Sequence, residues 1–142
     1  MTKKRKYIWI SLLILLLITG AYAYREYSRK PADLADVQPT ARVLADSLVA
    51  LFETDEPKAN TLYLGQAIEV SGIIAEIANQ QDTVVNVLLG SKESLHRVSC
   101  LISANHIKDV KLFKPGENIT LRGICNGYLM DVELNRCVVV KK

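Results

Sequence analysis

Three cysteines among 142 residues are too few for a scaffold built on disulfides. None stands in a C-x-x-C pair, the spacing favoured by low-pKa redox thiols, which argues against thiol catalysis. Histidine is rarer still, with two in the chain. His96, Cys100 and His106 form an H-x3-C-x5-H string, but that spacing matches no compact closed zinc site, so no metal is expected. There is no glycine-rich phosphate loop and no serine nucleophile elbow, and Asp55-Glu56 reads as a helix cap and first turn rather than a catalytic carboxylate pair. These absences point away from an enzyme and imply no cofactor. Rings are sparse as well: aromatics make up 6% of the chain, and from Ala67 to Lys142 only Phe113 and Tyr128 occur.

What is present is lopsided. Hydrophobic residues make up 49% and charged residues 23%, ordinary for a globular chain of about one domain. The net charge of +3 hides a division. Residues 1–30 carry seven Lys/Arg against one acid, whereas residues 31–142 carry eleven Lys/Arg against fourteen Asp/Glu. The basic character belongs to the N-terminal tail, and the body is slightly acidic.

Lys3, Lys4, Arg5 and Lys6 precede an uncharged run from Tyr7 to Tyr24, in which Ile8 to Ile18 is apolar except at Ser11. A helix of that run spans roughly 27 Å, near the ~30 Å of a bilayer core. Trp9, Tyr22 and Tyr24 lie near its ends, where amphipathic rings favour the interface. Ala21-Tyr22-Ala23 has the small-residue spacing of a signal-peptide cleavage site, so a removed leader is one reading. The uncharged length, the aromatic ends and the cations Arg25, Arg29 and Lys30 support a retained anchor instead. Either way the basic tip stays in the cytoplasm and the body is sent outward. The expectation is a single-pass inner-membrane protein, held through residues 7–24, with a periplasmic or extracytoplasmic C-terminal domain.

The body reads in stages. Residues 1–30 are the anchor or signal segment, and 31–39, punctuated by Pro31 and Pro39, a linker. Residues 40–66 are a helical lead-in. Thr40 is placed to cap a helix from about Ala41 to Glu53, whose Leu44, Leu48, Leu51 and Phe52 form one apolar stripe. Pro57 suits the first turn of a second short helix.

From Ala67 the period changes to two. Ile68, Val70, Gly72 and Ile74 alternate with polar or small residues, and Gly72 suggests a bend or bulge. Asn79 to Asp82 reads as a turn, Thr83 to Leu89 as a second strand, and Leu95 to Ser103 as a third. Ala104 to Lys111 reads as a short helix, and Lys114-Pro115-Gly116-Glu117 as a turn. Asn118 to Cys125 and roughly Asp131 to Lys141 complete five strands. The order β-β-β-α-β-β over 67–142 is that of the OB-fold, a mainly β, partly open five-stranded barrel, here preceded by a transmembrane helix and an amphipathic helix.

The stretch Glu56-x-x-Ala59-x-x-x-Tyr63-x-Gly65-x-x-Ile68-x-Val70-x-Gly72 and the trio Val98-Ser99-Cys100 resemble the first and third strands of the tRNA_anti-like OB-fold family of uncharacterised bacterial envelope proteins. Lys114-x-Gly116-x-x-Ile119-x-Leu121-x-Gly123-x-Cys125-x-Gly127-x-Leu129-x-Asp131-Val132-x-Leu134-x-x-Cys137 resembles its C-terminal block. The resemblance covers about Glu56 to Val140. It implies an OB-fold and possible nucleic-acid binding, and it brings no catalytic residues.

Binding of single strands by an OB barrel needs a cationic groove and stacking rings. Phe113 reads as core, which leaves Tyr128 alone. Lys92, Arg97 and Arg122 offer a local basic patch, but Glu69, Glu76, Glu93 and Glu133 lie in the same strands and turns. Nucleic acid is therefore the alternative, behind an envelope protein or small ligand of unknown identity. The candidate lip consists of Tyr128 and Asp131 in the last loop, Asn79, Gln80 and Gln81 in the first, and Arg97. The competing reading is a structural turn with Leu129 and Met130 plugging the barrel end. Among the cysteines, Cys125 and Cys137 are the expected disulfide, and Cys100 a buried thiol. The overall expectation is a membrane-tethered, extracytoplasmic, non-catalytic binding module.

Overall fold

The computed structural model describes residues 3–28, 33–80 and 84–140. Its contacts divide the chain into two units, Met1–Ala32 and Asp33–Lys142. In the first, the uncharged run forms one helix, α1 (Lys3–Tyr27). Its stretch Tyr7–Tyr27 is long and apolar enough to cross a membrane, a test that a signal sequence also passes.

The second unit begins with a 3-10 turn (Leu34–Asp36) capped by the Asp33 carboxylate. Then come β1 (Ala41–Leu44), α2 (Ala45–Thr54) and α3 (Glu56–Tyr63). The strands β2 (Ala67–Gln80), β3 (Val84–Leu89) and β4 (Val98–Ile102) follow. A 3-10 turn (Ala104–His106) runs into α4 (Ile107–Val110), and β5 (Asn118–Tyr128) and β6 (Val132–Val139) end the domain. The sheet order is β1-β2-β3-β4-β6-β5, with β5 returning to β2. The barrel is thus closed by five strands, with β1 added outside it.

Closure depends on the length and curvature of β2. Its first half, Ala67 to Ile73, pairs with β5, and from Ile74 onward it pairs with β3. A register shift between Ile74 and Glu76 marks the change of partner. Gly72, read from sequence as a bend, serves close approach: a Cβ there would lie 2.9 Å from the Ala45 Cβ of α2.

The helix expected from Ala41 starts later. Ala41 to Leu44 pair in parallel with Ile68 to Ser71 instead, led in by the Thr40 amide on the Ala67 carbonyl at 2.7 Å. Thr40 therefore caps no helix; its hydroxyl reaches Gln66 Oε1 at 3.3 Å. The buried stripe of α2 is Ala45, Leu48 and Phe52, and Leu44 is exposed. Asp55 caps α3 through the Lys58 amide, with Pro57 in the first turn as expected. Leu48, Phe52 and Ala59 join the barrel core with Ile68, Val70 and Leu121. Burying a side chain such as Phe52 contributes about 1.5–3 kcal/mol, so the lead-in is part of the domain's core.

Glu69 is the one buried charged residue among those described, 5% exposed. Arg42 Nε meets its Oε2 at 2.7 Å, and Arg122 Nη2 meets its Oε1 at 2.6 Å. Arg122 Nη1 also donates to the carbonyls of Leu34, Ala35 and Val37 at 2.9, 2.9 and 2.6 Å. Burial would raise the Glu69 carboxyl, but the hydrogen bonds from Arg122 and Arg42 outweigh it and hold it below its ordinary value. A side chain on a barrel strand thus fastens residues 34–37 of the presumed linker to the domain.

His106 makes a second fastening. Its Nε2 lies 2.9 Å from Asp33 Oδ2, and its Nδ1 lies 3.1 Å from Asp109 Oδ2. The Asp33 hydrogen bond, chiefly, raises the His106 pKa against the opposing effect of burial. The Ala35 amide and then His106 lower that of Asp33. The pair's stabilising contribution is therefore complete below the ordinary histidine value of 6.5 and fades as pH rises through the raised one. It fades again at the acid end, as pH falls through the lowered Asp33 value. Urea midpoints measured from pH ~5 to 8 should decline through the His106 titration seen by NMR, and His106→Gln should flatten that decline.

Candidate binding face and loop end

In OB barrels the outer surface of the second and third strands, with the loops beside it, is the usual binding region. Those strands are β3 and β4 here. Val85, Val87 and Leu89 point inward, as do Val98, Cys100 and Ile102. The alternation sends Val84, Asn86, Leu88, Ser99 and Leu101 outward. Asn86 Nδ2 donates to Ser99 Oγ at 2.8 Å. Glu76 pairs opposite Leu88, and Glu133 opposite Ser99. Among the described residues, the outward positions of β3 and β4 carry no ring and no cation.

At one end of this face, the loop 90–97 meets the loop 129–131. The Arg97 amide donates to Asp131 Oδ1 at 2.7 Å, and the Val132 amide to the Arg97 carbonyl at 2.9 Å. The Arg97 guanidinium is turned back on its own loop, onto the carbonyls of Ser91 (3.2 Å) and Lys92 (2.8 Å). Asp131 and Arg97 thus brace the loops. Tyr128 is half-buried; its ring stacks on Phe52 at 5.8 Å and meets His96 edge-on at 5.8 Å. Burial first, then the charges of Glu53, Asp131 and Glu56, raise its phenol pKa. His96 Nδ1 lies 2.6 Å from the Met130 carbonyl oxygen.

The expected lip divides. Tyr128, Asp131 and Arg97 come together, but Asn79 and Gln80 end β2 opposite Val85 and Val84, at the far end of β3. From Val84 to Leu89 the strand runs about 17 Å. The side chains of Asn79 and Gln80, and the whole of Gln81, lie outside the described residues. Leu129 and Met130 do not plug the barrel: they are 81% and 79% exposed. Sequence reasoning missed the partners of Tyr128. Phe52 was legible only as one member of a helical stripe, and nothing local marks His96 as its neighbour.

The cysteines also depart from expectation. All three are buried free thiols. Cys125 pairs with Leu134 across β5 and β6, so Cys137 is not opposite it and no Cys125–Cys137 bridge forms. The Cys137 side chain neighbours Cys100 instead, with its thiol pKa pushed well up by burial and then by that neighbour. The H-x3-C-x5-H string is scattered: His96 is in the loop end, Cys100 is in the core, and His106 is tied to Asp33. A cleft of about 740 Å³ lies away from the loop end, lined by Ser71, Leu112, Phe113 and Thr120 among others.

Residues 1–139 match the tRNA_anti-like family. The chain belongs to that family. A tRNA_anti-like assignment agrees with the closed barrel and with the sequence blocks that suggested it. Among solved structures, a candidate nucleic acid-binding lipoprotein from Klebsiella pneumoniae is 20% identical, with a TM-score of 0.57 over 79% of this chain and 100% of that one. That likeness shows a shared fold. Asparaginyl-tRNA synthetase from Entamoeba histolytica is 17% identical, with a TM-score of 0.42 over 55% of this chain and 21% of the enzyme. No curated protein matches.

Proposed function

We propose that this tRNA_anti-like protein is a membrane-tethered, extracytoplasmic module that binds a protein partner without catalysis. The observation that carries the reading is the outward face of β3 and β4, which offers aliphatic and amide groups flanked by carboxylates. Stacking platforms and cation-lined grooves hold single strands, and the described outward positions of β3 and β4 supply neither. Arg122, a cation of the suggested patch, is spent on Glu69 and three carbonyls, and Arg97 on its own loop. The helix Tyr7–Tyr27, with Lys3 to Lys6 ahead of it, supports a tether with the domain on the outer side.

Nucleic-acid binding is the second reading, favoured by the likeness to the Klebsiella lipoprotein, itself a candidate nucleic acid-binding protein. The two separate on a gel shift with labelled single-stranded RNA and DNA at ~50 mM salt, where electrostatic binding is strong. No shift is expected for the full chain in detergent, and a shift that weakens steeply with salt would overturn the proposal. In spheroplasts, protease added from outside should digest the domain; complete shielding would place it in the cytosol.

A further inference from the structure

The loop end carries an apolar surface that the fold does not use. Leu95, in the loop 90–97, is 94% exposed, and Leu129 and Met130 are 81% and 79% exposed. The His96–Met130 hydrogen bond and the Asp131 brace on Arg97 hold the two loops side by side. Exposed apolar groups scattered singly are normal, but a braced cluster on adjoining loops is a mark of an interaction site.

The surroundings select the occupant. Glu53 Oε1 lies 3.9 Å from His96 Nε2, and Glu53, Glu56 and Asp131 together impose negative charge on Tyr128. The loop 90–97 adds the cations Lys92 and Arg97, the latter held on loop carbonyls, and a further acid, Glu93, so the acids outnumber the cations. An anionic lipid surface is a poor match for that field. The strand register adds a second argument. The apolar loops stand at the Val98–Val132 end of β4 and β6, whereas Asp33 is bound through His106 at the other end, beyond Ile102 and Cys137. The loops therefore lie at the end of the domain opposite its N-terminal residue.

We propose that the Leu95–Leu129–Met130 surface docks a cationic, apolar segment of another protein, with Glu53 and Glu56 reading its positive charge. This rests on the binding-module reading and names its partner class. The test is photo-crosslinking in intact cells, using the full chain with benzoylphenylalanine at position 95 or 129, and at 112 as a control; Leu112 is 79% exposed on the far side, beside the cleft. A protein adduct is expected at 95 and 129, mapping to a segment rich in Lys or Arg. Its yield should fall at least several-fold when Glu53→Lys and Glu56→Lys are combined; both sites are exposed, so folding should survive and is checked by circular dichroism. An adduct to lipid, to a second copy of this chain, or one indifferent to charge reversal would overturn the assignment. So would adducts confined to position 112, although the binding-module reading would then stand. A nucleic-acid adduct would overturn both.

Discussion

Arg122→Ala should lower the unfolding free energy by about 3 kcal/mol, toward the low end of the ~3–5 kcal/mol that breaking a buried ion pair costs. The side chains of Arg122 and Glu69 are 12% and 7% exposed, so solvent replaces little of the lost interaction. Removing the guanidinium strands a carboxylate in a largely dry site. Arg42 remains beside it, but Arg42 is itself 71% exposed and contributes a screened partner, which keeps the loss from the upper end. The same deletion takes the donor from the carbonyls of Leu34, Ala35 and Val37, so Leu34, now 5% exposed, should lose its cover. Urea unfolding at pH 7 measures the first effect, and faster amide exchange over residues 34–37 measures the second. The pairing can be checked separately. Glu69→Gln combined with Arg122→Met leaves no buried unpaired charge, since Arg42 is largely in solvent, and should be less damaging than Arg122→Ala alone. A double variant that is worse than the single one would sink the account. The pH profile gives another handle: a carboxyl held below its ordinary 4.5 stabilises above that value and loses the effect as pH falls through the lowered one. Arg122→Ala should erase that acid limb.

That network shows where the sequence stops being readable. Alternation placed Glu69 on the outer face of a strand, which normally means water. Its burial comes from residues 34–37 lying across it, held by a guanidinium 53 positions further along the chain. No local pattern encodes that. The same holds for β1. Ala41 to Leu44 flow into a helical stripe, and Leu44 fits its spacing, so the segment reads as helix until the parallel partner Ile68–Ser71 is in view. The five barrel strands were legible because each buries one face, and a two-residue period survives any choice of neighbour. The connection after β4 also came through, as a 3-10 turn and one turn of helix. The candidate site was legible only in part. Tyr128 and Asp131 were marked by their position in the last loop, but their roles depend on Phe52, His96 and Arg97, which arrive from two other segments. Apolar Leu129 and Met130 fit a plug of the barrel end as well as a binding lip, and periodicity does not choose between them. The braces that hold them in solvent are a backbone amide and a histidine ring on the neighbouring loop, invisible to periodicity.

Gly123→Ala is the other large effect, and it acts through the barrel seam. A Cβ at this position would sit 2.5 Å from Cys137 Sγ, 3.1 Å from Leu134 Cβ and 3.2 Å from the Asn135 carbonyl oxygen. None of these neighbours can simply swing aside. Cys137 is fully buried, with its thiol directed to the Leu134 carbonyl at 3.4 Å, and Leu134 is fully buried in the core. The register of β5 and β6 already shifts between Arg122 and Ile124 to accommodate this crossing. Adding a methyl group should therefore cost about 1–3 kcal/mol, the usual range for overpacking, by forcing the two strands apart. Cys137→Ala removes the closest atom, and alone should cost on the order of 1 kcal/mol for the small void it leaves. Combined, the two substitutions should be less damaging than their sum by roughly 0.5–3 kcal/mol, the range expected of residues in contact. Leu134 and the Asn135 carbonyl remain in the way, so rescue should be partial. Gly72→Ala offers the contrast. Its nearest neighbours are Ala45 Cβ at 2.9 Å and Leu89 Cβ at 3.4 Å, a less crowded setting than that of Gly123. It should cost less than Gly123→Ala under the same urea titration. A Gly123→Ala protein within ~0.5 kcal/mol of the parent would mean that the seam is not packed as described.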